Sequence, residues 1–501
     1  MSRPKLTSNE KAANGPLPGD LSLYEKELSG CESLKTPGYY PSLNGAEIAD
    51  SRRSGLFPFA TFGGSHDGPN TVYAWRSEDD YQGTTFLCNR RPGELYLCGG
   101  NLPEAKGPVF PGPYIAKVDA TTGKQIWRTY LENANLSPVW IGATNLNILP
   151  NGNIVTSWSN RVALLDGDTG RILKYNTLPT GTTPAGDVSF KHLTIAPDGT
   201  IILKNQTRPT GITEQGTLAL IKGVMKGLKQ GNSVLVAVHP ETLEVMHWLQ
   251  LPEPATTPHG IDMFDGRITI YISADAHAFR YFWDPAKKKL SADESWIVPY
   301  LQEGQSTGDA PGILGEWITI LTNGIGSKAV ASNVVAIHTK DASKKTSVFP
   351  FGPLKRTQFS LAPPKTSADP DNNMVYAADA GVGKVAGIKL DPRTGEMKTV
   401  FVVDDSTFAF QPMIGPKEKR VLILSNMKPS VSAIPRLISF ATGKYKEQVT
   451  WRDAATGRIL AESDFFEPLS PGSLIVPGFG GRAYFPTNNG FLTLQVVPTA
   501  P

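Results

Sequence analysis

The sequence has few cysteines and no long run of apolar residues. Its three cysteines, Cys31, Cys88 and Cys98, do not have the close pairwise spacing of a zinc framework. Cys88 and Cys98 either form a disulfide across a hairpin or remain as two buried free thiols. No window approaches the roughly 18 consecutive apolar residues of a spanning helix, so we expect no membrane span.

An excess of one charge is also missing, with 49 Lys and Arg against 46 Asp and Glu. This balance, without a long basic run, gives no electrostatic footprint for nucleic acid, so we expect no nucleic-acid partner. No apolar signal-peptide segment begins the sequence, which predicts a cytoplasmic protein by default, or a periplasmic or secreted one if a leader was removed. Triad-hydrolase, zinc-protease, P-loop and dinucleotide-binding motifs are absent from any suitable strand–helix context.

Glycine and proline are abundant, at 49 and 41 residues, which favours many short strands joined by tight turns. One turn, of the form Asp-x-x-Thr-Gly, recurs between strand-like runs. Asp and Thr side chains hydrogen-bond the backbone of such a turn, and Gly supplies a positive φ. Clear copies begin at Asp119, Asp166, Asp391 and Asp453, and degenerate copies begin at His239, Asp284 and Asp341.

The spacing of these turns predicts the fold. One propeller blade needs about 40 to 50 residues, and insertions lengthen the loops. We predict an all-β chain forming a single β-propeller of eight four-stranded blades, with seven blades as the alternative. The last repeat stops before its outer turn, and Thr71–Asp80 resembles the missing strand. We therefore expect the N-terminal strand to pair with the C-terminal strands, with residues 1–70 as a mostly irregular arm and residues 71–497 as the propeller.

The best copy of the turn, DATTGKQIW at Asp119–Trp127, resembles the tryptophan-docking repeat of the pyrroloquinoline quinone (PQQ)-like propellers. The resemblance extends over about residues 71–497 and is specific for architecture. That family includes PQQ-dependent alcohol and sugar dehydrogenases and also outer-membrane scaffold proteins that bind no cofactor. The resemblance thus implies either an oxidoreductase of quinoprotein type or a protein-binding scaffold.

The same resemblance implies PQQ held with Ca²⁺ or a lanthanide by Glu, Asn and Asp side chains. Many of the family's alcohol dehydrogenases also stack two adjacent cysteines over the quinone. This sequence departs from that pattern, because it has no Cys-Cys pair and no Cys-x-x-Cys-His haem site. A single metal ion, with His259 and His192 as ligands, is the alternative cofactor.

The candidate site follows from propeller geometry. Innermost strands converge on a central channel, and the loops that lead into them form one mouth of it, a natural site for a small molecule. His259 and His192 are the candidate proton acceptors, and Asp309 is the candidate partner that orients a histidine. The candidate ligand-binding residues before these strands are Lys191, Arg356, Gln358, Gln411, Asp187 and Asp262.

These residues predict an enzyme that acts on a small molecule at this mouth of the channel. An oxidoreductase of quinoprotein type is the leading interpretation. A non-catalytic scaffold and a lyase or hydrolase without a redox cofactor are the alternatives.

Overall fold

The computed structural model describes residues 21–499 except 34–36, 82, 84–85, 101–111, 133–139, 141–143, 215–217, 309, 325–329, 356–357, 362–365, 409–410, 431–435, 442, 467–473 and 488. These residues form eight sheets, the blades of one β-propeller. The prediction of an all-β, eight-bladed propeller is confirmed, and the seven-bladed alternative is wrong. None of the described helices is long and apolar enough to cross a membrane.

The N-terminal arm contains helix α1 (Ser22–Ser33) and the short strand β1 (Leu56–Phe57), and strand β2 (Asn70–Arg76) follows. Blades 1 to 4 come next, with the strands of each blade running in chain order from the channel outward. Blade 1 is β3 (Phe86–Asn89), β4 (Glu94–Gly99), β5 (Tyr114–Asp119) and β6 (Gln125–Tyr130). Blade 2 is β7 (Asn147–Ile148), β8 (Ile154–Trp158), β9 (Arg161–Leu165) and β10 (Ile172–Thr177).

Blade 3 is β11 (Val188–Ile195), β12 (Ile201–Thr207), β13 (Val234–Val238) and β14 (Val245–Gln250), with helix α2 (Leu218–Met225) between β12 and β13. Blade 4 is β15 (His259–Phe264), β16 (Arg267–Ser273), β17 (His277–Asp284) and β18 (Lys289–Pro299). Blade 5 has a divided inner strand, β19 (Ser306–Thr307) and β20 (Gly312–Leu314), then β21 (Trp317–Asn323), β22 (Val334–His338) and β23 (Lys345–Val348).

Blade 6 is β24 (Ser367–Asp369), β25 (Met374–Asp379), β26 (Lys384–Leu390) and β27 (Met397–Asp404). Blade 7 is β28 (Met413–Ile414), β29 (Val421–Pro429), β30 (Tyr445–Asp453) and β31 (Ile459–Glu462), with helix α3 (Arg436–Ala441) between β29 and β30. Blade 8 is β32 (Val476–Gly478), β33 (Arg482–Thr487), β34 (Gly490–Pro498) and finally β2.

The recurring turn joins the two outer strands of a blade by the expected chemistry. In blade 1, Oδ1 of Asp119 accepts hydrogen bonds from the backbone N–H groups of Thr121 (3.0 Å) and Thr122 (2.8 Å), and Gly123 has a φ of 72°. In the degenerate turn of blade 3, Nδ1 of His239 takes the place of the Asp oxygen, and Leu243 adopts a φ of 59°. The turn geometry therefore persists where its usual residues are missing.

The turn of blade 2 also links neighbouring blades. The turn glycine of blade 2, Gly170, lies against the ring of Trp127 in the outer strand of blade 1, where an added Cβ would come within 2.5 Å of a ring carbon. Oγ1 of Thr129 donates to the carbonyl oxygen of Gly170 at 2.7 Å. A side chain at this position would push the two blades apart, because interiors have no room for an extra carbon.

The two ends of the propeller chain meet in blade 8, as predicted. Strand β2 pairs antiparallel with β34 along its whole length, from Asn70 opposite Pro498 to Arg76 opposite Leu492. The N-terminal strand thus supplies the outer strand that the C-terminal repeat lacks. Closing the ring in this way leaves no long unpaired edge between first and last blades.

The arm hydrogen-bonds to the channel-facing edges of the innermost strands. The carbonyl oxygens of Asn44 and Gly45 accept from the N–H groups of Asn89 in blade 1 (2.9 Å) and Ile148 in blade 2 (2.8 Å). Oγ of Ser51 donates to the carbonyl of Ile195 in blade 3 at 2.7 Å. Asn89, Ile148 and Ile195 are each the last residue of an innermost strand. The arm therefore lies at the channel end where these strands finish.

The arm continues round the ring beyond blade 3. The carbonyl oxygen of Ser51 accepts from Ile261 in blade 4 at 2.8 Å, and β1 pairs in parallel with β28 of blade 7. Helix α1 is held on blade 8 by Glu27, whose carboxylate accepts from the N–H of Gly480 at 2.7 Å. Burial raises the pKa of this carboxyl. The arm therefore contacts blades 4, 7 and 8 in addition to blades 1 to 3.

Candidate functional site

The side chains of His192 and Lys204 share one face of blade 3, because these residues are directly opposite on β11 and β12. The alternate residues, such as Leu193, pack against blade 2 with Val155. Since side chains alternate along a strand, His192 and Lys204 lie on the side that faces blade 4. His259 begins the innermost strand of that blade. The two predicted histidines thus come together at the interface of blades 3 and 4.

All three of these side chains are buried, with exposures of 1% for His192, 0% for Lys204 and 0% for His259. The ammonium of Lys204 donates to the carbonyl oxygens of Asn205, at 3.1 Å, and of Ala255. The polar groups therefore sit in a water-poor interior close to the channel. Polar atoms in such a place cost free energy unless they have hydrogen-bond partners.

Three of the four ring nitrogens in these two imidazoles lack a hydrogen bond of normal geometry among the described residues. Among the described residues, no hydrogen bond of normal geometry reaches Nδ1 or Nε2 of His259, or Nδ1 of His192. The backbone of Ile202 is close enough to the His259 ring to raise its pKa as a hydrogen-bond acceptor, although the contact is outside normal hydrogen-bond geometry. An unsatisfied buried donor or acceptor costs about 1–3 kcal/mol. The described residues therefore leave these three nitrogens unsatisfied.

Both imidazoles are neutral near pH 7. Burial lowers the pKa of His259 well below its usual range, and the positive charges of Lys204 and Arg53 lower it further. Burial likewise lowers the pKa of His192, with added repulsion from Lys204, Lys191 and Arg53. A neutral imidazole is a proton acceptor. The same positive charges oppose a metal cation, and the described residues contain no cluster of three or more His, Cys, Asp or Glu that could hold one.

Arg53 of the arm is the site residue that the sequence did not reveal. It is buried, and its Nη2 donates to Oε1 of Glu47 at 2.6 Å. No motif surrounds it, and the sequence predicted only a mostly irregular arm for residues 1–70. The single signal in the sequence is an arginine in an otherwise irregular segment, which is too common a feature to mark a site.

Two of the predicted acidic residues are committed to ion pairs. Oδ1 of Asp187 lies 2.6 Å from Nη2 of Arg208, and Oδ1 of Asp262 lies 2.9 Å from Nη2 of Arg52 in the arm. Burial raises the pKa of Asp262, and Arg52 opposes this rise. Both acids thus hold loops or the arm in place. Lys191 is adjacent to His192 and half-buried.

The remaining predicted residues are dispersed. Gln411, just before β28, is fully buried, and neither of its amide atoms has a hydrogen-bond partner among the described residues. The side chain of Gln358 is used locally, because its Oε1 accepts from the N–H of Lys355 at 3.0 Å. Asp309 and Arg356 lie outside the described residues. The structure therefore brings His192 and His259 together and gives Gln411 an equally unsatisfied position in blade 7.

Cys31, Cys88 and Cys98 are free thiols, so the free-thiol alternative for Cys88 and Cys98 is confirmed. Sγ of Cys88 lies 3.6 Å from the carbonyl of Leu146, and Sγ of Cys98 lies 3.4 Å from that of Thr144. The described residues thus provide neither stacked adjacent cysteines nor a carboxylate cluster for Ca²⁺. The calcium–quinone site implied by the sequence resemblance does not fit this part of the chain.

Comparison with solved structures identifies similar folds at very low sequence identity. The quinohaemoprotein alcohol dehydrogenase from Comamonas testosteroni has a TM-score of 0.54 at 10% identity, over 96% of this chain and 85% of that one. The quinohaemoprotein alcohol dehydrogenase ADHIIG from Pseudomonas putida HK5 also scores 0.54 at 10% identity, over 98% and 84%. BamB from Moraxella catarrhalis scores 0.46 at 11% identity, over 84% and 96%.

No protein-family model matches the sequence, and no curated protein matches it either. At about one identical residue in ten, similarity of structure establishes architecture only, since one fold supports many functions. The chain has an eight-bladed β-propeller fold, which is similar to that of these two alcohol dehydrogenases.

Proposed function

We propose that this chain is a small-molecule enzyme whose site lies in the channel at the interface of blades 3 and 4. The substrate enters from the mouth at which the innermost strands begin, because the arm occupies the opposite end. The observation that carries the proposal is a pair of buried imidazoles in which Nδ1 of His192 and both nitrogens of His259 have no hydrogen bond of normal geometry within the described part of the chain. Such an arrangement costs stability, and a bound ligand would offset that cost.

The roles of the residues follow from their protonation and position. His259, neutral and at the start of its strand, accepts a proton from the substrate. His192 lies beside it and supplies a second acceptor or donor, and Gln411 binds polar groups of the ligand from blade 7. An oxidoreductase that acts on a hydroxyl group is the reaction class we favour, because the quinohaemoprotein alcohol dehydrogenases share the fold. In that reaction His259 takes up the hydroxyl proton, and the hydride from the same carbon passes to a diffusible two-electron acceptor such as the dye of the assay below.

A dye-linked oxidation assay tests this proposal. Purified protein is screened against primary alcohols, aldoses and hydroxy acids with an artificial electron acceptor, with and without added PQQ and Ca²⁺. We expect turnover of at least one class, and a loss of about 10²-fold or more in the variant His259→Asn, the size of a general-base contribution. The variant His66→Asn is the matched control, because the His66 ring packs against Phe62 on the arm, away from the proposed site. The backbone carbonyl oxygen of His66 accepts a hydrogen bond from Nη2 of Arg458 in blade 7, which the substitution does not remove.

Unchanged turnover in His259→Asn would overturn the assigned role of this residue. Turnover of hydrolysable or eliminable substrates without the acceptor would favour a lyase or hydrolase at the same site. That alternative uses the same two imidazoles and needs no redox group.

A protein-binding scaffold is the second candidate function, and one observation favours it. Large aromatic side chains are exposed on the outer strands of three successive blades: Tyr130 (46%), Tyr175 (62%) and Trp248 (44%). Exposed aromatic residues are enriched at protein interfaces. If the assay shows no turnover for any substrate, these positions are the first to substitute in a search for binding partners.

A further inference from the structure

The N-terminal arm is anchored beside the two histidines. Its residue Ser51 accepts from the N–H of Ile261, two residues after His259, and donates from its hydroxyl to Ile195, three residues after His192. The carbonyl oxygen of Arg52 packs against Gly260, because it lies 3.5 Å from the position that a Cβ atom on Gly260 would take. These contacts fix the backbone of the following residue, Arg53, next to both strands that carry the imidazoles.

This part of the arm has an unfavourable backbone conformation. Ile48, Ala49 and Arg53 have φ values of 62°, 72° and 54°, in a region that residues other than glycine rarely adopt. A β-branched residue such as Ile48 is especially disfavoured there. Strain of this kind persists only where the surrounding structure enforces it, and it concentrates at functional sites. The chain thus accepts a strained turn and thereby places Arg53 at the channel.

The guanidinium of Arg53 is only partly satisfied. Its Nη2 donates to Glu47 at 2.6 Å, while its Nε has no hydrogen-bond partner among the described residues. Oε2 of Glu47 is unpartnered as well. A guanidinium presents five N–H donors in a planar fork that matches a carboxylate. One contact with Glu47 leaves part of this fork available in a buried position.

Positive charges act on the two imidazoles, and the carboxylate of Glu47 balances only the one on Arg53. Arg53 and Lys204 act on both rings, and Lys191 acts on His192. A positive environment in a buried channel stabilises a negatively charged ligand group and opposes a cation. The unpartnered donors and this charge distribution therefore favour the same class of ligand.

We infer that the channel ligand is a carboxylate-bearing small molecule, with Arg53 of the arm binding its carboxylate below the two histidines. The inference rests on the proposed site and adds the substrate class and the residue that selects it. Since the carboxylate lies against Arg53 and the reacting hydroxyl lies against His259, hydroxy acids fit this arrangement. The arm is then part of the site as well as the seal of the channel.

Binding by isothermal titration calorimetry tests the inference independently of turnover. The probes are hydroxy acids of two to six carbons and the neutral polyols of the same length, at constant ionic strength. We expect at least one hydroxy acid to bind the full chain at least tenfold more tightly than its neutral counterpart. In Arg53→Gln this preference should fall at least tenfold. Arg52→Gln is the matched control, because the neighbouring Arg52 is half-exposed and pairs with Asp262.

A double variant guards against misfolding. Glu47→Gln with Arg53→Gln removes both charges of the buried pair and retains hydrogen-bonding groups, and a melting temperature near that of the wild type shows that it folds. The double variant should also lose the preference for hydroxy acids. A wild-type protein that binds no hydroxy acid better than the polyol, or a preference that survives both Arg53 variants, would overturn the inference.

The outcomes also separate this inference from the proposed function. If His259→Asn abolishes turnover while Arg53→Gln keeps the carboxylate preference, only the inference fails. If neither substitution alters binding or turnover, the site itself is misplaced and both fail.

Discussion

Arg53 and Glu47 form a buried ion pair at the end of the channel, with 2.6 Å between Nη2 and Oε1 and side-chain exposures of 1% and 2%. The N–H of Glu47 also donates to Oδ1 of Asn147 in blade 2 at 2.9 Å. The pair therefore joins the arm to the ring and places a positive charge beside the two histidines. The contribution of the pair to the free energy of unfolding depends on the cost of a buried charge that has lost its counter-charge.

Removal of one partner should be strongly destabilising. Glu47→Ala leaves the guanidinium of Arg53 buried without a counter-charge, which costs about 3–5 kcal/mol in comparable pairs. Urea-induced unfolding measures the change. The control is Asp404→Asn, which removes the exposed pair with Lys384 and should cost less than about 1 kcal/mol. Similar values for the two variants would mean that the pair at the channel is not buried.

Stability should depend on pH through His259. Burial and two positive charges hold its pKa in the folded state well below the ordinary value of 6.5. Below about pH 6.5 the imidazole of His259 is therefore protonated in the unfolded chain but remains neutral in the folded chain. The free energy of unfolding should be level above this pH and fall as the pH drops below it. His259→Asn should fall less steeply than the wild type between pH 7 and pH 5 in thermal melts, and identical slopes would contradict the burial of this ring.

The contact between Gly170 and Trp127 should be sensitive to one added carbon. Gly170→Ala forces a Cβ to within 2.5 Å of the ring at a φ of 73°, whereas Gly199→Ala meets nothing within 4 Å at a φ of 88°. The second variant measures backbone strain alone, of about 1–2 kcal/mol. Gly170→Ala should cost about 1–3 kcal/mol more, the range for overpacking. Equal losses in urea unfolding would show that the blades do not pack through this glycine.

A stabilising substitution is available in the degenerate turn of blade 4. Lys288 is exposed and has a φ of 48° at the place where clear copies of the turn have glycine. Lys288→Gly relieves about 1–2 kcal/mol of left-handed strain and costs about 0.5–1 kcal/mol of chain entropy. We expect a net gain of up to about 1 kcal/mol in urea unfolding. Lys287→Gly, one residue earlier and without a positive φ, should instead be neutral or destabilising.

The fold was predictable because its signal is local. Each turn is encoded within five residues, as Asp119 to Gly123 show, and the missing outer strand of the last blade was recognisable in Thr71–Asp80. The number of blades was predicted correctly even where a turn lacks its usual Asp or Gly, because other residues can adopt the same turn geometry. Leu243 and Lys288 adopt the positive φ without being glycine, so their strain could not be read from residue type.

The candidate site was only partly predictable, because its contacts are long-range. His192 and His259 were found from their position before or within innermost strands. Arg53 could not be found, because the arm reaches the channel through hydrogen bonds to residues such as Asn147, 100 positions along the chain. Asp187 and Asp262 were expected to bind a ligand, but tertiary contacts with Arg208 and Arg52 engage them. Whether these two acids also contact a ligand stays a prediction.

A crystal structure at a resolution that shows ordered solvent tests the central claim most directly. In the proposed site, Nδ1 of His192 and both ring nitrogens of His259 face a space that a ligand occupies. We therefore expect non-protein density, from a bound molecule or from water, within hydrogen-bonding distance of His259. Protein side chains that fill this space and hydrogen-bond both ring nitrogens of His259 would contradict the account, because the imidazole would then be a structural group.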